Sequence, residues 1–563
     1  GQCGCGGGSG DGTYSCAYGS NRSFSPSAGY DTAWKDRAVI TQPDANYATQ
    51  YFDECGQPLS RVVTNADPSG SPTKTWATEV VRDSTYPGAV IEVHTPANIT
   101  AYTHSTGAFT RSSSVGLVNV YSRVSGGTMN GFPEIVQYKE GNSGSVYWLS
   151  KTLYTSRDLA ISSTYDKRPM VTERRSYHTA WDGVTPTESD YYDATTMSYA
   201  WWSGTSTNIL YIAPKQATTT NPVVTTTQNG SNSATTMDRY IRKDGTTAFS
   251  VAPDGIFTFT GFTNGQLTTQ NQDCKTNGSF PSGDDPNGDF GVTETSSGSD
   301  RTTTYAYDAQ GRTDTMTEPD GRVHKSYYSR LSDQRGVSIN WPMKTTAGGG
   351  TYFGPAGYSV TNQAGVGEFS GLIAITSSGS TAALTSWIDE TTADPISAVT
   401  TGTLARMSTS IPDNAGVRVN ESRSYFLIPG SGAGSVGTNY DAVKYVYDDM
   451  GRKIRTEDAT GTLTRSAFDE LGRVQYTYLG TDDTGMAGSP MAGSSNMVKV
   501  SENEYDSGSA GGNSHLTKRT AFVENSTTDR QDTTYTYDYR GRVLLTTNPQ
   551  APHTLTSYDN LGR

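Results

Sequence analysis

Short alternating segments, separated by turn residues every ten or eleven positions, run along much of this chain. Within the segments an aromatic residue recurs at every second position, as at Tyr305 and Tyr307 or at Tyr445 and Tyr447, so both rings of a pair lie on one strand face. The intervening Asp, Asn, Pro and Gly residues favour tight turns. No stretch has a convincing apolar period of 3.6 residues. The pattern predicts an all-β chain, a long antiparallel meander of β-hairpins.

One six-residue phrase recurs within this pattern: an aromatic residue, Asp, two variable residues, Gly and Arg. Asp at the first position of a type I turn accepts hydrogen bonds from the turn's own N–H groups, and Gly three residues later supplies the left-handed conformation. The phrase therefore predicts a strand, a tight turn and a second strand. Its strong copies contain Tyr307, Asp308, Gly311 and Arg312; Tyr447, Asp448, Gly451 and Arg452; Phe468, Asp469, Gly472 and Arg473; Tyr537, Asp538, Gly541 and Arg542; and Tyr558, Asp559, Gly562 and Arg563. A weaker copy spans residues 52–57.

The residues of the phrase have structural explanations. We expect its glycines to have positive φ and its aspartates to stabilise turns rather than form a catalytic array of carboxylates. Each arginine can pair with its aspartate or stack on a tyrosine ring, and the sequence leaves both open. The tyrosine stripes can bind sugars by stacking, but cross-strand tyrosine pairs also stabilise a sheet without any ligand.

The phrase and its period of about 21 residues resemble the repeats of the YD-repeat, or Rhs-repeat, family. Clear copies cover residues 301–340 and 440–563, whereas residues 30–300 carry only the turn rhythm. The resemblance implies a β-strip that spirals into a shell, a tube or a fibre-like scaffold. We expect a Gly- and Cys-rich segment over 1–25, a divergent β-repeat region over 26–300 and a YD-repeat region over 301–563.

Composition and charge argue against several classes of protein. A net charge of −13 argues against a nucleic-acid binder, which needs a basic footprint. No apolar run approaches the length of a membrane-spanning helix. Aromatic residues make up 10% of the chain and charged residues only 18%, which argues against intrinsic disorder.

Cysteine placement bears on the cellular compartment. The cysteines are Cys3, Cys5, Cys16, Cys55 and Cys274, and their spacing does not fit a zinc site. Crowding near the N-terminus predicts at least one disulfide among the first four, and hence a secreted or cell-surface protein. The alternative is that all five are reduced and pack as small side chains.

Local motifs offer little chemistry. None of the six histidines has another at ligand spacing, and the nucleophile motif G-x-S-x-G is absent. The segment 432–437 matches G-x-G-x-x-G, but a strand rather than a helix is predicted after it. Asp285, Asn287 and Asp289 alternate as calcium ligands do, yet the twelfth position of that loop is Ser296 rather than Glu, which favours an exposed turn. We predict no enzymatic activity and no cofactor.

These observations predict an extracellular structural protein, a YD-repeat scaffold that forms a surface fibre, sheath or shell. Two alternatives stay open: the encapsulating shell of a polymorphic Rhs-type toxin, a role that the resemblance implies, and a carbohydrate-binding surface adhesin. The expected partners are copies of the chain itself or surface glycans. The phrase ending at Arg563 supplies a turn without a returning strand, so we expect its edge to accept a second copy, head to tail, in a filament.

Overall fold

Antiparallel hairpins make up nearly all of the regular structure, as the alternating pattern predicts. The structure of the protein is a computed structural model, and it describes residues 12–21, 34–86, 88–158, 167–183, 188–202, 213–274, 301–331, 333–345, 351–373, 404–430, 432–485, 496–509, 511–523 and 529–563. Its contacts define two compact units. The first comprises Gly1–Tyr154, Arg174–Asp193 and Lys444–Arg563, and the second comprises Thr155–Glu173 and Ala194–Val443.

The N-terminal part of the chain is a meander with one inserted hairpin. Its strands are β1 (Ser15–Ser20), β2 (Asp36–Thr41), β3 (Tyr47–Phe52), β4 (Pro58–Thr64), β5 (Thr75–Arg82), β6 (Val90–His94), β7 (Ile99–Thr103), β8 (Ala108–Arg111), β9 (Leu117–Arg123), β10 (Pro133–Glu140), β11 (Tyr147–Asp158) and β12 (Lys167–Tyr177). Each strand from β1 to β5 pairs antiparallel with the next. β6 then pairs with β9, which continues to β10 and β11.

The inserted hairpin, β7–β8, covers a small core of the first unit. It forms a separate two-stranded sheet. Its Tyr102 and Phe109 pack against a buried cluster that includes Tyr51 and Val62. The hydroxyl of Tyr51 donates a hydrogen bond of 2.8 Å to the carbonyl of His104, which lies between β7 and β8. Aromatic packing and polar contacts therefore both attach the hairpin.

The middle of the chain continues the meander. Its strands are β13 (Tyr192–Trp201), β14 (Pro214–Thr220), β15 (Thr236–Ile241), β16 (Thr247–Val251), β17 (Phe257–Thr263), β18 (Gln266–Cys274), β19 (Arg301–Tyr307), β20 (Thr313–Thr317), β21 (Arg322–Arg330), β22 (Gly336–Thr345), β23 (Thr351–Phe353), β24 (Ala356–Thr361), β25 (Gly367–Ile373), β26 (Leu404–Pro412) and β27 (Val419–Tyr425). Successive strands pair antiparallel, except that β24 pairs with β22 rather than with β23, so that β22 pairs with both. Burial alternates with period two, as in β24, where Ala356, Tyr358 and Val360 face the core.

The C-terminal part carries four of the five strong repeat phrases. Its strands are β28 (Tyr440–Tyr447), β29 (Lys453–Glu457), β30 (Leu463–Phe468), β31 (Val474–Gly480), β32 (Val498–Tyr505), β33 (Leu516–Phe522), β34 (Arg530–Tyr537), β35 (Val543–Thr547) and β36 (Thr554–Leu555). Each pairs antiparallel with the next. Among the residues that the structure describes, the helices are single turns at Pro96–Asn98, Glu188–Asp190, Thr226–Gln228 and Asp506–Gly508. Within the described ranges, no helix has the length and hydropathy needed to cross a membrane.

Turns fall where the repeat pattern predicts them. The φ angles of the four phrase glycines that we singled out lie between 78° and 81°, which confirms their left-handed conformation; they are Gly311, Gly451, Gly472 and Gly541. The ten-residue beat continues where the phrase is lost, because Gly245, Gly255 and Gly265 also have positive φ. The strand pairing shifts register just before the first four of the five strong phrase turns, for example between Val446 and Tyr447, as expected for a type I turn followed by a left-handed glycine.

The N-terminal predictions have mixed outcomes. β1 contains Cys16 and pairs with β2 along six residues, so part of the predicted terminal segment lies in the sheet. The region boundaries at residues 25 and 300 stay a prediction. Cys16 and Cys55 are both free thiols, so neither supports the predicted disulfide. Cys3 and Cys5 lie outside the described residues.

Candidate functional site

The turn of the repeat phrase is held together by its own aspartate and arginine. In the Asp448 copy, Oδ1 accepts hydrogen bonds from the backbone N–H of Met450 at 3.0 Å and of Arg452 at 2.8 Å. The second carboxylate oxygen, Oδ2, accepts a hydrogen bond of 2.7 Å from Nε of Arg452. The backbone closes the same turn, because Gly451 donates to the carbonyl of Asp448 at 2.8 Å. Both carboxylate oxygens are thus used within five residues.

The other strong copies repeat this arrangement. Their aspartates accept the same three hydrogen bonds, at 2.6–3.0 Å, and are Asp308, Asp469, Asp538 and Asp559. Desolvation raises the pKa of a carboxyl, but the N–H and guanidinium of the following arginine outweigh it, so the pKa of Asp308 and that of Asp559 lie below the usual value. These contacts support a structural role for the carboxylates rather than a role in proton transfer.

The arginine of a phrase also contacts a ring further along the chain. The guanidinium of Arg452 lies 4.8 Å from the ring centroid of Phe468, the aromatic residue of the next phrase. Arg542 lies 5.0 Å from the ring of Tyr558 in the same way. The two arginine roles that the sequence left open therefore occur together, because Nε donates in the guanidinium plane and leaves its face to the ring. This contact couples one repeat to its neighbour, as in other repeat proteins.

The weak upstream copy uses an arginine from another strand. Residues 52–57 keep the turn but have Gln57 where the phrase has arginine. Arg82 of β5 lies there instead, with Nε 3.9 Å from Oδ2 of Asp53. Asp53 is 1% exposed and Arg82 7%, and the guanidinium also donates to the carbonyls of Pro58 and Gly88. Sequence reasoning missed this pair, because nothing near the phrase signals a residue 29 positions later.

Within the first unit, turns of the C-terminal repeats lie against the N-terminal strands. We call these contacts between residues 448–563 and residues 12–178 the seam. At its first contact, the carbonyl of Asp449 accepts a hydrogen bond of 2.8 Å from the N–H of Gly12. In the same turn, Nη1 of Arg452 lies 3.2 Å from Oδ2 of Asp44. Arg452 therefore contacts both the aspartate of its own phrase and the opposite strip.

The next turn makes the second contact of the seam. Nζ of Lys74 lies 2.8 Å from Oε1 of Glu470, and the carbonyl of Glu470 accepts a hydrogen bond of 3.2 Å from Nδ2 of Asn46. Although desolvation raises a carboxyl pKa, Lys74 outweighs it and holds the pKa of Glu470 below its usual value. Glu470 occupies the same turn position as Asp449. Variable positions of the phrase thus provide contacts between the strips, in addition to the phrase arginine Arg452.

Later turns continue the series. Oδ1 of Asn513 accepts a hydrogen bond of 2.9 Å from the N–H of Ala97. The guanidinium of Arg540 lies 4.3 Å from the ring centroid of Tyr138, and the ring of Tyr539 lies 6.1 Å from the same tyrosine. Burial raises the pKa of Tyr138 and that of Tyr539. This part of the seam is mainly aromatic.

The final turn is anchored by Asn560, which is only 7% exposed. Its Nδ2 donates to the carbonyls of Trp148 at 2.8 Å and Tyr177 at 2.7 Å, and its Oδ1 accepts from the hydroxyl of Tyr138. Its N–H donates to the carbonyl of His178 at 2.9 Å. The side chain therefore has three partners on three strands or strand ends. Sequence reasoning placed Asn560 at a variable turn position and missed this role.

The contacts of the seam follow one order. Each later turn meets a later N-terminal segment, and the partners are 382 to 437 residues apart in the chain. The N-terminal and C-terminal strips of the first unit therefore run side by side in the same direction. The last phrase is predicted to end in an open strand edge, but the turn of this phrase lies on strands of the same chain. Head-to-tail assembly stays a prediction.

The remaining chemical candidates gain no support. Among the described residues, no group of three or more His, Cys, Asp or Glu side chains could hold a metal ion. The calcium candidates Asp285, Asn287 and Asp289 lie outside the described residues. The G-x-G-x-x-G match at 432–437 leads into β28 rather than a helix, so it offers no helix N-terminus for a phosphate.

Comparisons with known proteins identify no family. No protein-family model and no curated protein matches this chain. Among solved structures, the crystal structure of TcdB2-TccC3 is similar over 92% of this chain and 25% of that chain, at 12% identity and a TM-score of 0.33. The corresponding structure without its hypervariable C-terminal region matches over 92% and 30%, at 11% identity and a TM-score of 0.23. This chain therefore spans less than a third of the length of these two chains.

Proposed function

We propose that this chain is a non-enzymatic scaffold that forms the wall of an enclosing shell, rather than an open fibre. The observation that carries the proposal is the seam, in which successive repeat turns lie on successive N-terminal strands about 400 residues earlier in the chain. Because the C-terminal repeats lie beside the N-terminal strands of the same chain, their turns and side chains are covered without a second copy of the protein. An open fibre would leave those turn positions for a neighbouring molecule.

The absence of enzymatic activity is part of the proposal. Its support is that the repeat carboxylates, the most numerous candidates for chemistry, use both oxygens inside their own turns. The repeat tyrosines also have partners in the chain: the ring of Tyr537 stacks on His515 at 4.6 Å, and Tyr558 lies under Arg542. These contacts favour the shell over a glycan-binding adhesin. The extracellular location stays a prediction, to which the two free thiols add nothing.

Zero-length cross-linking tests the proposal on the full chain. A carbodiimide joins an amine and a carboxylate that already touch, and Lys74 and Glu470 are 2.8 Å apart. A mixture of unlabelled and 15N-labelled chains distinguishes a link within one molecule from a link between two. We expect Lys74–Glu470 peptides of a single isotopic composition at all protein concentrations.

The local pair Lys444–Glu457, at 3.2 Å, provides the control, because it links whether the wall is closed or not. Mixed-isotope Lys74–Glu470 peptides would show that the seam joins two molecules and would support the filament instead. A control link without any Lys74–Glu470 link would show that the strips do not meet. Either result contradicts the closed wall.

A further inference from the structure

The second unit contains a pocket formed by residues of β12 to β15 and of the turn after β15, which we call the β12–β15 pocket. Its volume is about 490 Å³, and small-molecule sites usually measure about 300–1,000 Å³. The strand register explains the depression. Tyr199 of β13 lies opposite Ala217 of β14, and Ala217 lies opposite Arg239 of β15. Because register partners share a face of the sheet, the short side chain of Ala217 leaves space between the tyrosine ring and the arginine.

The inner part of the pocket is apolar. Met170, Pro214 and Ile241 line it and are buried. The ring of Tyr199 is held at the wall, because its hydroxyl donates a hydrogen bond of 2.7 Å to the carbonyl of Val171. Such a lining favours the apolar body of a ligand over a fully hydrated ion.

The outer part of the pocket is positively charged, although the chain as a whole has a net charge of −13. Arg168, Arg239 and Lys243 line it, together with the carboxylate of Asp244. Oδ1 of this carboxylate accepts hydrogen bonds from the N–H of Thr246 at 2.8 Å and from its hydroxyl at 2.7 Å. Three cations therefore stand against one carboxylate that its own turn already uses. Cations gathered in a cleft favour the binding of an anion between them.

Arg239 is oriented for contact with an anion. Its Nε donates a hydrogen bond of 2.7 Å to Oγ1 of Thr247 on β16, which fixes the guanidinium plane. Within the described part of the chain, no carboxylate pairs with this guanidinium, and its two Nη atoms have no hydrogen-bond partner. Two parallel N–H groups of an arginine match the two oxygens of a carboxylate.

We propose that the β12–β15 pocket binds a small organic acid. The carboxylate of the ligand lies on the Nη atoms of Arg239, and its apolar body lies over Ala217 against the ring of Tyr199. Lys243 adds positive charge beside the carboxylate, and its Nζ is placed 5.1 Å from the ring centroid of Trp202. The site needs no catalytic group, so it gives a non-enzymatic wall a ligand in its second unit.

Equilibrium dialysis of the full chain against cinnamate, at fixed ionic strength, tests the proposal. Cinnamate has an aromatic body and a carboxylate, cinnamamide has the same shape without the charge, and sulfate has charge without an apolar body. We expect cinnamate to bind saturably, at one site per chain and about tenfold more tightly than cinnamamide. Equal binding of cinnamate and cinnamamide, displacement of cinnamate by an equal concentration of sulfate, or a lack of saturable binding would overturn the proposal.

Variants separate the pocket from non-specific binding. Arg239→Gln removes the paired N–H groups and Ala217→Leu fills the depression, so each should weaken cinnamate binding by about tenfold. Arg239→Lys keeps the charge but loses the planar fork, so it should bind between Arg239→Gln and the wild type; it also serves if Ala217→Leu does not fold. Arg406→Gln is the matched control, because Arg406 is an exposed arginine on β26 of the same unit. Unchanged binding in Arg239→Gln, or an equal loss in Arg406→Gln, would contradict the site.

This inference goes beyond the proposed function, and the two can fail separately. Dialysis reports on the second unit, whereas the link between Lys74 and Glu470 reports on the first. A lack of cinnamate binding would leave the closed wall standing. A mixed-isotope Lys74–Glu470 link would contradict the closed wall and leave the ligand site standing.

Discussion

Replacing Asn560 by alanine tests whether turn side chains hold the seam. The side chain is 7% exposed and makes three hydrogen bonds, to the carbonyls of Trp148 and Tyr177 and from the hydroxyl of Tyr138. Each buried hydrogen bond contributes about 0.5–1.5 kcal/mol net. We therefore expect Asn560→Ala to lower the free energy of opening of the seam at the final turn by about 3 kcal/mol.

The turn itself should tolerate this substitution. In the Asp308 copy the equivalent position holds Ala309, which is exposed, and that turn has the same hydrogen bonds. The effect of Asn560→Ala therefore comes from the lost side-chain contacts rather than from the backbone of the turn. Gln310→Ala, at an exposed position of the Asp308 turn, is the matched control and should change stability by less than about 0.5 kcal/mol.

Native-state hydrogen exchange is the suitable assay, because a chain of two units need not unfold in one transition. Protection of amides in β10 and β11 should fall by about two orders of magnitude, since about 1.4 kcal/mol is tenfold. Asn560→Asp should cost more than alanine, because an oxygen then faces two carbonyls. Equal protection in Asn560→Ala and Gln310→Ala, or better protection in Asn560→Asp than in Asn560→Ala, would refute the reasoning.

Three further predictions concern the repeat turn, the buried ion pair and acid stability. Gly451→Val should lower the free energy of unfolding by about 1–2 kcal/mol, because φ is 78° at this position. Gly367→Val is the control, because a Cβ at this position on β25 points into open space, and thermal denaturation should show a smaller loss of stability for it. Arg82→Met should lower the free energy of unfolding by about 3–5 kcal/mol, because it leaves the buried Asp53 without its ion-pair partner. Arg61→Met, at an exposed position, is the control, and equal chemical-denaturation midpoints for the two variants would contradict the prediction. Because hydrogen bonds from His94 and, beyond the opposing desolvation, from Lys139 lower the pKa of Glu92 to about 2, its contribution to stability is present above the ordinary carboxyl pKa of 4.5 and is lost as the pH falls from there to about 2. Acid titration of Glu92→Gln should lack this loss.

The repeat turns could be predicted from the sequence because their stabilising groups are neighbours in the chain. Asp448, Gly451 and Arg452 lie within five residues, and the hydrogen bonds that specify the turn all form inside that span. The period-two alternation likewise determined the strands, as in β24, because a residue's face follows from its position alone. The arginine roles were both foreseen, but the sequence could not show that one side chain performs both.

Only the tertiary structure decides which turn meets which strand. The partners of the Asn560 side chain lie 383 to 422 residues away, and two of them are backbone carbonyls, which carry no sequence signal. Arg82 replaces a missing phrase arginine from another strand, and only the fold shows that its Nε lies 3.9 Å from Oδ2 of Asp53. Local hydrogen bonding sets the hairpins, whereas the seam depends on how a long strip lies against itself, and that is a property of packing over hundreds of residues.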